Sequence, residues 1–294
     1  MFSMRIAVYG LKASIEHRIL FEEFFIRMDA RQIQVFIFSE LNEILNKELS
    51  LSTEQYRTFE SHTDLPQVDL FFTFGGDGTI LSAATIIQDR EIPVVGVNTG
   101  RLGFLATINS EALFGSLDEI LSGEYIISSR SLIAVHSDEA EIEFPFALNE
   151  ISVTRRETTS MITVEVFVNG ELLNAYWGDG LIVATPTGST GYSLSCGGPI
   201  VHPKNEIFIV TPIASHNLNI RPFIITDDSE VKLKIKTREE TYFLSLDSRN
   251  IAMPAEVELN LKKADFRLNI VIPKQMTYLL TLRDKMFWGS DKRN

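Results

Sequence analysis

Cysteine is almost missing from this chain: Cys196 stands alone among 294 residues, so no internal disulfide can form. Histidine is sparse as well. His17, His62, His136, His202 and His216 are scattered without the spacing of a zinc site, so a structural metal is not expected. No apolar run approaches the roughly 20 residues that a bilayer-crossing helix needs, and the stretch from Met1 to Gly10 lacks the layout of a signal peptide. A cytoplasmic location is the expectation. There is no basic excess either: 27 lysines and arginines against 39 acidic residues leave a formal charge of −12. That balance disfavours non-specific nucleic-acid binding and attachment to an anionic membrane surface. A phosphate-bearing ligand would then be held by local devices, namely backbone N–H groups, helix N-termini and a divalent cation.

What is present is an ordinary globular composition, with 45% apolar residues against 22% charged ones. The first third alternates short apolar runs with amphipathic stretches, the pattern of strands joined by helices in a largely parallel sheet. Strands are expected at 5–9, 32–38, 68–74 and 92–97. Helices are expected at 14–30, where Ile15, Ile19, Phe24 and Met28 fall near helical spacing, and at 79–88, carried by Ile80, Ala83, Ala84 and Ile87. Residues 40–66 are polar and ambiguous. Past about residue 124 the period becomes two. Val164, Val166 and Val168 alternate ahead of the hairpin signal Asn169-Gly170, and Val231, Leu233 and Ile235, then Val257, Leu259 and Leu261, repeat the pattern. The expected fold is an α/β N-terminal domain with a largely parallel sheet over residues 1–125, followed by a β-rich, antiparallel, sandwich-like domain over 126–275 with one solvated face per sheet. A tail, 276–294, is expected to pack back on the first domain or to serve an interface.

Gly75-Gly76-Asp77-Gly78-Thr79 falls where a buried strand ends and a helix begins, so its N–H groups can point at a phosphate with the helix dipole behind them. It is no Walker A loop, since no Gly-Lys-Ser/Thr follows, and it misses the Rossmann spacing because Leu81 stands where the third glycine is needed. The odd residue is Asp77. A carboxylate beside a polyphosphate is repulsive unless it takes a proton from an attacking hydroxyl or meets the phosphates through a metal. The competing reading is a tight turn whose aspartate caps the helix. A second candidate runs from Asp179-Gly180 through Thr185-Pro186-Thr187-Gly188-Ser189-Thr190-Gly191-Tyr192-Ser193-Leu194-Ser195-Cys196-Gly197-Gly198-Pro199. So many small polar residues read either as a loop that approaches a ligand closely or as a flexible surface connection. Asn149-Glu150, Asp179 and Gly100-Arg101-Leu102-Gly103-Phe104 are weak signals singly; their occurrence together is what counts.

With these residues assembled, the sequence resembles the NAD kinase family: Gly-Gly-Asp-Gly-Thr, then Asn-Glu, then Asp-Gly-Leu-Ile-Val-Ala-Thr-Pro-Thr-Gly-Ser-Thr, in that order, over roughly residues 68–250. Diacylglycerol and sphingosine kinases carry a similar first motif and phosphofructokinases a related one, so the hydroxyl-rich second motif is the specific part. The resemblance implies an α/β domain, a β-rich domain and a cleft that binds NAD. It also implies an oligomer, a dimer or tetramer of identical chains. Carried over by position, Asp77 would take the proton from the 2′-hydroxyl of the adenosine ribose, while Gly75, Gly76 and Gly78 bring backbone to the ligand. Asn149 and Glu150 would hold the nicotinamide-side ribose or the metal-linked region. Asp179 and the stretch Thr190, Gly191, Tyr192, Ser193, Leu194 and Ser195 would contact the dinucleotide, with Thr187 and Ala214 nearby and Phe104 flanking a base. The sequence departs from the family at Ser82, where arginine is common, at Gly191, where alanine is frequent, and at Asp247-Ser248-Arg249, which replaces an Asp-Gly pair. Arg249 is therefore not counted in the site, and His216 is expected to be structural.

The reaction implied is in-line transfer of the γ-phosphoryl of ATP, or of another phosphoryl donor, to NAD, with Mg²⁺ spreading charge and Asp77 accepting the proton late. Two rivals share parts of the pattern. A lipid kinase would use the same glycine turn but needs a way onto a membrane, and the chain shows no basic amphipathic helix. A non-catalytic NAD(P)-binding regulator would be stabilised by ligand without forming product.

Overall fold

The computed structural model of the chain describes residues 4–100, 103–157 and 160–288. Arg101 and Leu102 of the expected glycine-flanked loop, and residues 289–294 of the expected tail, lie outside the described residues. The chain divides into two compact units, Met1–Ser129 with Leu268–Asn294, and Arg130–Arg267.

The first unit begins with β1 (Arg5–Tyr9), α1 (Arg18–Ala30), β2 (Gln34–Phe38), α2 (Ser39–Lys47), β3 (Arg57–Phe59) and β4 (Leu70–Phe74). It continues with α3 (Asp77–Ile87), β5 (Val94–Asn98), β6 (Ile108–Asn109) and α4 (Leu113–Leu121). Its strands run β5-β4-β1-β2-β3, with β6 beside β5, and every pairing among them is parallel. β4 and β5 are buried along their whole length, which is why they read as mostly apolar runs, broken only by the buried Thr73 and Asn98. The ambiguous segment 40–66 holds α2, which turns Leu41 and Leu45 inward one helical turn apart, and the short β3, whose single buried residue is Phe59. The expected stripe on α1 is corrected: Ile15 and Ile19 are 66% and 74% exposed, and the buried face is Phe21, Phe24, Phe25 and Met28. Those four fit i, i+3, i+4, i+7, whereas Ile15 belongs to a separate 3₁₀ turn, Ile15–His17. Phe24 meets Phe72 and Phe74 of β4 edge to face at 5.2 Å, anchoring the helix to the sheet.

The second unit takes in part of β7 (Tyr125–His136), then β8 (Phe146–Ala147), β9 (Glu150–Thr154), β10 (Ile162–Val168), β11 (Glu171–Gly178), β12 (Gly180–Ala184) and α5 (Tyr192–Ser195). There follow β13 (Ile207–Ile213), β14 (Phe223–Thr226), β15 (Val231–Lys236), β16 (Thr241–Leu246), β17 (Arg249–Pro254) and the first part of β18 (Leu259–Pro273). One antiparallel sheet runs β14-β13-β12-β9-β16-β17, and β11-β10-β15-β18 forms a second. Val164 and Val166, Leu233 and Ile235, and Leu259 and Leu261 meet Ile151, Val153, Leu181, Val183, Leu244 and Leu246 in a shared core, so the two sheets form a sandwich. Asn169 and Gly170, at φ +50° and +85°, make the two-residue turn that closes β10 onto β11. The expectation of one solvated face per sheet fails at the centre of the six-stranded sheet. Every residue of β12 is buried, because Ile182 and Ala184 pack outward against Cys196 and Val201 of the hydroxyl-rich segment.

Past Arg267 the chain is back in the first unit, where Ile270 of β18 pairs parallel with Val94 of β5 and α6 (Tyr278–Met286) follows. No described helix is long and apolar enough to cross a membrane.

Candidate active site

Because the strands of the first unit are parallel, their C-terminal ends share one edge, the edge at which open α/β sheets bind ligands. Gly75–Thr79 leaves β4 there. A Cβ on Gly75 would lie 2.0 Å from Thr79 Oγ1, so glycine alone fits the turn, while Gly76 and Gly78 are exposed with nothing around their Cβ positions. Asp77 opens α3 behind the N-cap Gly76. Its side chain does not cap the helix. Phe104 N–H donates to Oδ2 at 2.8 Å, and the N–H groups of Leu105 and Ala106 each donate to Oδ1 at 3.0 Å. With two lone-pair directions per carboxylate oxygen, Oδ1 is saturated and Oδ2 keeps one acceptor position. Phe104 is half-buried, with Lys285 Nζ of α6 5.8 Å from its ring centroid. Ser82, one turn along α3, donates to the Gly78 carbonyl at 3.1 Å. It also hydrogen-bonds Tyr9, whose phenol burial and the charge of Glu40 push up to about 12 against that bond.

In the second unit Asn149 and Glu150 are fixed by a residue far along the chain. Asp247, in the β16–β17 hairpin at φ +55°, accepts Leu148 N–H on Oδ2 at 3.0 Å and Asn149 N–H on Oδ1 at 2.7 Å. Glu150 N–H adds a longer bond of 3.3 Å, and Asp247 N–H returns to the Glu150 carbonyl at 3.0 Å. Burial raises the Asp247 carboxyl, and these N–H groups and Arg249 pull it back. Arg249 donates to the Phe144 carbonyl at 2.7 Å and to the Phe146 carbonyl, a tie within the scaffold.

The hydroxyl-rich segment lies directly on Asn149-Glu150. Thr185 N–H donates to the Asn149 carbonyl at 2.8 Å, its Oγ1 to the Leu148 carbonyl at 2.6 Å, and a Cβ on Gly188 would fall 2.1 Å from the Asn149 oxygen. The expected loop is corrected here: the segment folds into a 3₁₀ turn, Gly188–Thr190, and α5. Its hydroxyls make that burial possible by satisfying backbone groups nearby. Ser189 Oγ donates to the Pro186 carbonyl at 2.7 Å and accepts Val201 N–H at 3.0 Å; Thr190 Oγ1 donates to the Thr187 carbonyl at 3.3 Å; buried Ser193 pairs with Thr211 at 2.9 Å. Thr187 is buried and receives Arg130 Nη1 at 3.5 Å. Gly191 and Leu194 are half-buried, whereas Tyr192 and Ser195 are exposed.

Glu150 is the anomalous group of this unit. It is 8% exposed, its Oε2 has no hydrogen-bond partner among the described residues, and a Cβ on Gly191 would stand 2.9 Å from that oxygen. Burial first, then the charge of Asp247, push its carboxyl up to about 7, against the pull of Tyr192 N–H. Asp179 sits between two glycines whose Cβ atoms would strike the Ile213 and Val153 carbonyls at 2.8 and 2.2 Å, and Arg155 Nε lies 3.0 Å from its Oδ1. Burial first, then Cys196 and last the charge of Asp179, push the Tyr192 phenol up. Ala214, exposed at φ +43°, follows the Ile213 carbonyl that accepts Asp179 N–H at 3.0 Å. His216, expected in a structural role, is exposed and leans on the Trp177 ring with centroids 4.5 Å apart.

A cavity of about 580 Å³ on the outer face of β10, β15 and β18 holds none of these residues. Of its lysines, Lys234 and Lys232 are paired with Glu258 at 2.6 and 3.4 Å, which marks it as a groove on a solvated sheet. Among the described residues no group of three or more His, Cys, Asp or Glu side chains stands together to hold a metal ion.

Two groupings thus emerge, Gly75–Thr79 with Gly103–Ala106 in the first unit, and Asn149-Glu150 with Thr185–Ser195, Asp179 and Asp247 in the second. A parallel α/β unit with a glycine–aspartate turn and an antiparallel sandwich with a folded hydroxyl-rich segment define a phosphotransferase of two domains. Residues 19–125 match the family model for the ATP-NAD kinase N-terminal domain, and residues 148–272 that for the ATP-NAD kinase C-terminal domain. The NAD kinase of Cytophaga hutchinsonii is 48% identical over 268 residues, covering 91% of this chain and 92% of the relative. That of Flavobacterium psychrophilum is 45% identical over 295 residues, 99% of this chain and 100% of the relative. The chain belongs to the NAD kinase family. Among solved structures, an NAD kinase from Archaeoglobus fulgidus in complex with ATP is similar at 25% identity and a TM-score of 0.77, covering 97% of this chain and 99% of the other. Yeast NADH kinase complexed with NADH shares the fold, with a TM-score of 0.87 at 23% identity over 99% of this chain and 89% of the other.

Proposed function

We propose that the chain transfers the γ-phosphoryl group of ATP to the 2′-hydroxyl of the adenosine ribose of NAD, giving NADP and ADP. The observation that carries the reading is the Asp77 carboxylate, held by three backbone N–H groups at the ligand-binding edge of a parallel sheet with one acceptor position left on Oδ2. The ribose O–H donates to that position as its oxygen attacks Pγ; the new O–Pγ bond forms, the bond from Pγ to the β-phosphate oxygen breaks, and the proton passes to Asp77. Three fixed N–H donors hold the carboxylate in place, so positioning supplies most of the rate. Gly75, Gly76 and Gly78 bring bare backbone to the ligand. Asn149, Glu150, Asp179, Thr187, Thr190, Gly191, Tyr192, Leu194, Ser195 and Ala214 serve the dinucleotide, and Phe104 flanks a base. Ser193 supports the segment from within, since its hydroxyl is taken by Thr211. Mg²⁺ enters as part of the nucleotide substrate, which suits an ion that keeps its waters and binds mainly through phosphates. The catalytic turn belongs to residues 1–125, dinucleotide recognition to 126–275 and the tail to 276–294, and the protein works in the cytoplasm as a homo-oligomer, a dimer or tetramer.

The purified chain incubated with NAD, ATP and Mg²⁺ is expected to form NADP, read with a strictly NADP-dependent dehydrogenase. A rise in melting temperature with NAD but no NADP would make it a regulator instead.

A further inference from the structure

Helix α6 turns a lysine inward and two leucines outward. Thr281 and Leu282 are buried and Tyr278 and Lys285 half-buried, which are positions i, i+3, i+4 and i+7 of one face, while Leu279 and Leu280 stand 61% and 44% exposed. Lys285 thus holds a place on the inward stripe that an apolar residue ordinarily fills. Its Nζ lies 5.8 Å from the Phe104 ring centroid, and Phe104 N–H is the group that donates to Asp77 Oδ2 at 2.8 Å. A single residue therefore meets the ammonium through its ring and the carboxylate through its backbone. All three residues belong to the first unit.

Among the described residues no carboxylate pairs with Lys285. A ring face attracts an ammonium but uses none of its three N–H donors as a strong acceptor would. A lysine in the last turn also complements the helix dipole, yet Arg283 does so from the exposed side, and that duty requires no inward position. What the inward ammonium lacks is an anion. We propose that Lys285 is a phosphate ligand of the active site, its ammonium binding the triphosphate of the donor nucleotide beside the glycine–aspartate turn. The inference rests on the reading of Asp77 as the proton acceptor for an ATP-dependent transfer. A triphosphate next to the Asp77 carboxylate is repelled, and a point charge on a flexible stem offsets that repulsion where the two anions meet. The Phe104 ring steadies the stem, so the charge is in place before the nucleotide arrives.

The test compares wild type, K285M and K285R by steady-state kinetics, with inorganic triphosphate as a competitor of ATP. Methionine keeps an unbranched stem on the Phe104 ring and removes only the charge, whereas arginine keeps the charge. K285M is expected to raise the KM for ATP and the Ki of inorganic triphosphate about tenfold or more, the worth of one charge-assisted contact to phosphate. The KM for NAD should stay within about threefold, and K285R should recover both affected constants to within about threefold of wild type. Melting curves confirm that each variant is folded. Wild-type constants in K285M would make Lys285 a packing residue and overturn the proposal. So would a rise confined to the KM for NAD, or a K285R as impaired as K285M. If the wild type makes no NADP, the kinase reading fails on its own; titration calorimetry with inorganic triphosphate then decides about the lysine, and binding that is absent, or equal in wild type and K285M, would sink it separately.

Discussion

A methyl group on Gly103 would lie 1.7 Å from Asp77 Oδ1 and 2.5 Å from Cγ, so the backbone at 103 touches the very carboxylate that the following three amides hold. Glycine is needed for this close approach. Gly103→Ala must push the segment or the carboxylate aside by more than an ångström. The expected result is a fall in kcat of about a hundredfold and a stability loss of about 1–3 kcal/mol in urea unfolding. Full activity in this variant would mean that the fixed geometry does not matter.

Asp77→Asn replaces one of two acceptor oxygens by an NH₂ group. Either orientation harms the site: the NH₂ faces Leu105 and Ala106 N–H, or it takes the Oδ2 place opposite Phe104 N–H and the free acceptor position is lost. We expect kcat to drop by about 10²- to 10⁴-fold, the usual worth of a positioned base. NAD affinity, measured by titration calorimetry, should be little changed. Wild-type turnover with unchanged binding would show that Asp77 is not the proton acceptor.

How much of this was legible in the sequence depended on the distance over which each contact acts. Alternation in β10 and β15, the Asn169-Gly170 turn and the glycine–aspartate turn at the end of β4 are local patterns, and each is where the sequence suggests. The stripe on α1 was misassigned because Ile15 and Ile19 fall near helical spacing as Phe21 and Phe25 do, and only the packed sheet decides between them. Asp247 was missed as a support of Asn149-Glu150 because it lies 97 to 99 residues away, and no local period carries such a contact. Its signal was an aspartate in a two-residue hairpin loop, a position that favours φ > 0. Phe104 and Lys285, far apart in the chain, were silent for the same reason. The hydroxyl-rich segment was read as loop because Ser and Thr favour turns; their bonds to nearby carbonyls let short helical turns form and bury instead.

Glu150 gives a pH prediction with a definite sign. Its folded-state value stands near 7 against an ordinary 4.5, so the folded protein holds the proton more tightly than the unfolded chain between those limits. Stability from this group is complete below about pH 4.5 and is lost as pH rises through about 7, a total of about 3 kcal/mol. Glu150→Gln, which cannot ionise, should be more stable than wild type by up to that amount at pH 8 and nearly equal to it at pH 4. Urea unfolding at the two values measures it. A variant less stable than wild type at pH 8 would show that the ionised carboxylate is favourably paired.

Asp247 and Arg249 are neighbours with separable duties. Asp247→Asn removes an acceptor from amides that carry Asn149 and Glu150, so it should raise the KM for NAD as well as lower stability. Arg249→Met keeps the aliphatic bulk beside Phe146 but leaves the Phe144 and Phe146 carbonyls without their donor. Those carbonyls precede Asn149-Glu150 and support the sandwich, so the cost should fall on stability alone, about 1–3 kcal/mol. Kinetic constants for NAD and ATP should then stay within about twofold of wild type, as for a residue that makes no substrate contact. A large rise in the KM for NAD in Arg249→Met, at temperatures where the variant is fully folded, would instead bring the guanidinium into the dinucleotide site and make the replacement of the family's Asp-Gly pair a functional change.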